Sequence, residues 1–164
     1  LDCLLAPTEP DPAPIPTFGV SAGAVIHACL AGVDRRPRAH VFVLAGGPLA
    51  DVLADTDEKR FRGYRQALGG GPKGRVNEPL RRRLRAALRT DPIRLAPGVR
   101  RDDVLLVLAT RDTAVPYAYG RRLWEALGRP RLIELPFGHK TSFVLLPWIT
   151  NEVNRFLGSR LGAP

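Results

Sequence analysis

The chain has 164 residues, enough for one domain with a real core, and 45% of them are hydrophobic, which excludes a disordered or fibrous chain. Its net charge is +9, and all but three (Lys59, Lys73 and Lys140) of the 25 basic residues are Arg. No run approaches the roughly 18 apolar residues of a spanning helix, and two cysteines, Cys3 and Cys29, make neither a disulfide framework nor a metal-ligand spacing.

Leu1 to Leu5 reads as the tail of a helix. The chain opens Leu1-Asp2-Cys3, with no Met and no charged-then-apolar leader, as a piece of a longer protein would. Reduced cysteines fit a cytoplasmic setting. Residues 6–16 hold five prolines and read as a loop. The apolar run Ile15 to Val20 is a strand. Small residues follow at once, then Ala24 to Leu30, so the pattern is strand, tight turn and helix, stopping near Gly32. His40 to Ala45 is a nearly continuous apolar run, the mark of a strand buried on both faces of a parallel sheet.

Residues 49–100 are charged and Gly-rich at Gly69-Gly70-Gly71. One helix is expected there, from Pro79 to about Arg89, and no strand, so the segment reads as a cap or insertion. Arg81-Arg82-Arg83-Leu84-Arg85 and Arg89 read as the solvated face of that helix. The competing reading is a polyanion site, which lacks the interleaved aromatics of a stacking platform. Asp103 to Ala109 is a further buried strand. Pro116 to Leu127 is a helix with Pro in its first turn and Gly128 after it. Arg131 to Leu135 is the last strand, and Thr141 or Ser142 can cap a final helix ending at Gly158. This order implies an open parallel α/β sheet of about four strands.

The turn after the first strand reads Gly19-Val20-Ser21-Ala22-Gly23, a G-x-S-x-G that follows a strand and opens a helix. A serine at such an apex has a strained backbone, and Gly19 and Gly23 are expected to remove side chains that would collide with the neighbouring strand and helix. The Ala22 N–H, at the helix N-terminus, is the expected donor to an oxyanion. A serine needs a base. His27 lies six residues on along the same helix, and His40 opens the second strand at its amino end. His139 follows the carboxyl end of the last strand, the edge where Ser21 stands. The base needs a carboxylate in turn. Asp112 lies past the carboxyl end of the third strand, and Asp51, after the second, is its rival. Asp102 and Asp103 lie at the wrong end.

The order Ser21, Asp112, His139 with this turn resembles the α/β-hydrolase fold family. Three matches carry the resemblance: GVSAG at 19–23, LATRDTAVP at 108–116 and LPFGHKTSF at 135–143. It implies a serine hydrolase, carboxylesterase-like, acting on a small-molecule ester or related acyl substrate without metal or organic cofactor. It implies that residues 1–164 are the C-terminal part of one such domain. The first strands and the loop giving a second oxyanion N–H would be absent, and the first strand's outer edge would be open to self-association. No nucleic-acid partner is expected. The rival readings are an inactive fragment or pseudo-hydrolase serving as an interaction module, and a basic polyanion-binding protein.

Overall fold

The computed structural model describes residues 15–69 and 76–162. The expectations for Leu1 to Leu5, Cys3, residues 6–14 of the proline loop and Gly70-Gly71 lie outside the described residues. Four parallel strands form one sheet in the order β1-β2-β3-β4: β1 (Ile15–Val20), β2 (Pro37–Val43), β3 (Val104–Ala109) and β4 (Arg131–Leu135). The register pairs Phe18 with Val41, Val41 with Leu105 and Leu106 with Leu132. All six residues of β3 are buried, which is what a continuous apolar run in a covered central strand requires.

Helices cover both faces. α1 (Ala22–Val33) and α6 (Tyr117–Ala126) lie on one, where Ala24, Ala28 and Ala31, spaced i, i+4, i+7, pack with Phe42, Leu106, Leu108 and Leu123. α7 (Leu146–Leu161) lies on the other, with Ile149, Val153 and Phe156 against Val41, Val43, Leu105 and Val107. Burying each such side chain contributes roughly 1.5–3 kcal/mol. Among the described residues the outer edge of β1 has no strand beside it. Ile15 and Phe18 on that edge are 42% and 46% exposed, and Ile26, Leu30 and Val33 of α1 are also exposed.

Among the described residues, 49–100 hold four α-helices and no strand: α2 (Leu49–Asp55), α3 (Lys59–Ala67), α4 (Glu78–Ala87) and α5 (Pro92–Leu95). Only α4 was anticipated, and it starts at Glu78 because Asn77 caps it, accepting from the Leu80 N–H at 2.9 Å. α2 and α4 share a small core of Ala50, Ala54, Leu80 and Leu84.

Two other boundaries move. β2 runs from Pro37 to Val43, so His40 lies inside it rather than opening it. Leu44, at φ 57°, turns the chain away while its N–H donates to the Val107 carbonyl at 2.8 Å. The last helix is not capped by Thr141 or Ser142. Those residues sit in a 3-10 turn (Thr141–Leu145), and α7 continues through Gly158 to Leu161, where Gly162 takes the left-handed conformation.

An ion network joins α2 to α4 and α6. The Arg81 guanidinium binds Asp51 and Asp55, each at 2.8 Å, and Arg85 binds Asp51 at 3.0 Å. Arg122 approaches Asp51 at 3.7 Å, and the Tyr119 hydroxyl donates to Asp55. Burial pushes the Asp51 carboxyl up, but hydrogen bonds from Arg81 and Arg85 outweigh it and hold the group below its ordinary range. Such a carboxylate stabilises the fold above its unfolded pKa of about 3.9, and the contribution is lost as pH falls through the lower folded value. Asp51→Asn, which leaves the Arg81 and Arg85 guanidinium groups without their charged acceptor, is therefore expected to cost about 1–3 kcal/mol at pH 7. Urea titrations at falling pH should show the gap to wild type narrowing once the pH is below the ordinary carboxylate range.

Candidate active site

Ser21 sits between β1 and α1 at φ 54°, ψ −120°, a conformation that L side chains rarely adopt. Its N–H donates to the Val43 carbonyl at 2.8 Å, and its carbonyl accepts from the Val25 N–H at 3.1 Å. The turn is thus tied to the end of β2 and to the first turn of α1. A Cβ added at Gly19 would lie 2.7 Å from the Ala24 nitrogen and from the Gly23 carbonyl carbon and oxygen, so only glycine fits there. The same steric reason does not hold for Gly23, where an added Cβ meets nothing within 4 Å. Ala22 is the first residue of α1, so its N–H belongs to the first turn, whose donors lack intrahelical partners.

The loop after β4 carries His139. The Gly138 carbonyl accepts from the Ser142 N–H at 3.0 Å and the Ser142 hydroxyl at 2.8 Å, and the Gly138 N–H donates to Thr141 Oγ1 at 2.9 Å. Thr141 and Ser142 therefore fix the histidine loop instead of capping a helix. The loops after β3 and β4 are also joined, by Thr110 N–H to Leu135 O at 2.8 Å and Arg111 N–H to Phe137 O at 3.0 Å.

Asp112 is buried just past β3. Its Oδ1 accepts from the Ala114 and Val115 N–H groups at 2.9 and 2.8 Å, and its Oδ2 lies 2.7 Å from His139 Nδ1. His139 Nε2 lies 2.9 Å from Ser21 Oγ. A carboxylate only accepts, so Nδ1 carries the ring proton and Nε2 is left to accept from the Ser21 hydroxyl. Residues 118 positions apart in sequence are brought together in this way.

The other candidates stand elsewhere. Asp51 is held by arginines of α4 and α6. Asp103 pairs with Arg100 at 3.4 Å, and it and Asp102 form a 3-10 turn at the amino end of β3. His40 is buried, with Nδ1 2.9 Å from Thr17 Oγ1, and burial pushes its pKa down. His27 lies on α1 with its Nδ1 buried and without a hydrogen-bond partner. Cys29 is a half-buried free thiol whose pKa is pushed up, first by burial and then by Asp91. In the arginine cluster, Arg81 and Arg85 are committed to Asp51 and Asp55.

A cavity of about 310 Å³ opens on Ser21, Ala22 and His139. Its walls are mostly apolar: Val25 and Ile26 from α1, Leu49, Val52 and Leu53 from α2, Phe61 from α3, and Ala114 and Val115 beside Asp112. Thr56 and Glu58, between α2 and α3, supply its polar wall. The sequence marked residues 49–100 only as a cap, and no signal in it singled out α2 or α3 as wall-forming. Among the described residues no cluster of three or more His, Cys, Asp or Glu could hold a metal ion, and no helix is long and apolar enough to cross a membrane.

No family model matches the chain. It is 31% identical over 72 residues to the uncharacterized protein YdjC of Bacillus subtilis, a stretch that covers 44% of this chain and 62% of that protein. Among solved structures, an esterase of Pyrococcus furiosus superposes with a TM-score of 0.62 at 16% identity, over 91% of this chain and 54% of the esterase. An acylaminoacyl peptidase of Pyrococcus horikoshii gives a TM-score of 0.66 at 14% identity, over 92% of this chain and 25% of the peptidase. The chain has the α/β-hydrolase fold. It spans about half the length of the esterase and under two thirds of YdjC.

The unequal space around the two glycines is open to a direct test. Gly19→Ala should lower the melting temperature by about 2–12 °C, because its Cβ meets backbone that cannot swing aside. Gly23→Ala, in an open first turn, should leave it unchanged or slightly raised. Thermal melts of the two variants side by side measure the difference.

Proposed function

We propose that the chain carries the nucleophile, base and acid of a serine hydrolase that acts on an ester or related acyl substrate, in the manner of a carboxylesterase. One observation carries this reading: the unbroken run of hydrogen bonds from the Asp112 carboxylate through His139 to Ser21 Oγ, at 2.7 and 2.9 Å. Ser21 attacks the carbonyl carbon while His139 Nε2 takes its proton. The imidazolium so formed is stabilised by Asp112 and returns the proton to the leaving group. In the second half, His139 takes a proton from water as the water oxygen adds to the acyl carbon, and it returns that proton to Ser21 Oγ as the acyl C–Oγ bond breaks and the acid leaves. The oxyanion of each tetrahedral intermediate accepts from the Ala22 N–H at the α1 N-terminus. The family resemblance assigns a second donor to a loop outside this chain, and loss of one such donor costs about two to three orders of magnitude. No step needs a metal or organic cofactor.

The mostly apolar walls around Ser21 support an uncharged acyl group as the part that enters the cavity. The name of the Pyrococcus furiosus esterase is consistent with an ester, and that of the acylaminoacyl peptidase keeps an amide in view. The half-buried free thiol of Cys29 suits a reducing compartment, so we place the protein in the cytoplasm.

The full-length protein should be labelled at Ser21 by a fluorophosphonate probe, and Ser21→Ala should abolish the label. On an activated ester, Ser21→Ala and His139→Ala should each remove about three or more orders of magnitude of turnover, and the double variant should lose little more, because such residues act as a unit. Asp112→Asn should be milder and still severe. An unlabelled Ser21 in a folded protein would favour the interaction-module reading. Tight, salt-sensitive nucleic-acid binding would favour the polyanion reading.

A further inference from the structure

We infer that Asp57, in the turn between α2 and α3, is a positioning residue that holds Asp112 through Thr113; the inference rests on the serine-hydrolase reading above. Asp112 Oδ1 is oriented by the N–H groups of Ala114 and Val115. Thr113 is the one residue between the carboxylate and the first of those donors, so its placement sets theirs. Two hydrogen bonds of opposite sense hold it. The Asp57 N–H donates to the Thr113 carbonyl at 3.1 Å, and the Thr113 hydroxyl donates to Asp57 Oδ2 at 2.5 Å. A two-bond tether fixes both the backbone and the side chain of Thr113, which a single surface contact would not.

The far end of the tether is itself anchored. Arg65, a buried residue of α3, sends Nη1 to the Leu53 carbonyl at 3.1 Å and to the Thr56 carbonyl at 2.8 Å, clamping the turn immediately before Asp57. The next residue, Glu58, lies 3.7 Å from the Lys140 ammonium. One turn of the cap therefore touches the residue after Asp112 and the residue after His139. Thr56 and Glu58 from that turn, with Ala114, Val115 and His139, line the same cavity. The cap is thus coupled to the acid and base as well as to the substrate volume.

Asp57 and Thr113 are exposed, so losing their bond should matter little to folding. The geometry of Asp112 is more sensitive, since displacements of about 1 Å can cost about a hundredfold in rate. That contrast separates positioning from a structural role. In the full-length protein, with p-nitrophenyl acetate, Thr113→Val and Asp57→Ala should each lower kcat about tenfold. KM and melting temperature should be nearly unchanged, and the double variant no worse than either single. Thr113→Ser, which keeps the hydroxyl, should restore kcat. Independently of turnover, the low-field proton NMR signal of His139 Nδ1–H should exchange with solvent faster in both single variants. Wild-type kcat and an unaltered proton signal in both would overturn the inference, as would a loss confined to KM or one tracking the melting temperature. If Ser21 takes no fluorophosphonate while the proton signal still responds to Thr113→Val, the hydrolase reading fails and the positioning pair stands.

Discussion

The hydrogen bond from the Ser21 N–H to the Val43 carbonyl is the tie on which the site depends. A non-glycine residue at φ 54°, ψ −120° carries about 1–3 kcal/mol of backbone strain and persists only where its surroundings over-determine it. Here the surroundings are the end of β2 on one side, the Val25 N–H on the other, and the close approach of Gly19 to the backbone of Gly23 and Ala24. Two of these constraints come from elements whose own burial is secure, since Phe42 of β2 and Ala24 of α1 are fully enclosed, and Gly19 is the buried residue of the edge strand β1. The strain is therefore held by the core, and the serine hydroxyl is directed by the same packing that makes the sheet.

Parallel strands then do the gathering. Every strand points the same way, so the loops after β1, β3 and β4 open at one edge, and residues far apart in sequence meet there. The loops are cross-linked where they leave the sheet, by Thr110 to Leu135 and Arg111 to Phe137. Asp112 and His139 thus inherit the rigidity of β3 and β4. Of the cap helices that wall the cavity, α2 is held by ion pairs with α4 and by a small core of alanines and leucines shared with it, and α3 by Arg65 on the Leu53 and Thr56 carbonyls.

How much of this can be read from the chain follows from where the physical signal is strong. β2 and β3 stand out as apolar runs because both of their faces are covered, β1 and β4 are partly exposed, and Ser21, Asp112 and His139 lie just past the carboxyl ends of β1, β3 and β4. The cap was legible only as a gap between strands. α2 and α3 are seven and nine residues long, and α2 buries small side chains such as Ala50 and Ala54, which leave little periodicity. The end of α7 was misplaced because Gly158 is tolerated inside a helix whose packing continues, while the left-handed stop falls at Gly162. The steric role assigned to Gly23 failed because the helix leaves its neighbourhood open. Asp57 and Thr113, 56 positions apart, carry no local mark at all; only the folded chain puts them in contact.

The small separate core of the cap, Ala50 and Ala54 against Leu80 and Leu84, has a consequence for how such a protein can diverge. The main core uses other residues and lies on the sheet faces. Variation at these four positions can therefore accumulate with little effect on the packing of the sheet faces, so on the hydrolase reading chemistry and selectivity can diverge as two separable units. A lineage could exchange one cap for another and acquire a new diet while keeping the same cutting edge, so long as each newcomer preserved the few polar stitches that join it to the loops beneath.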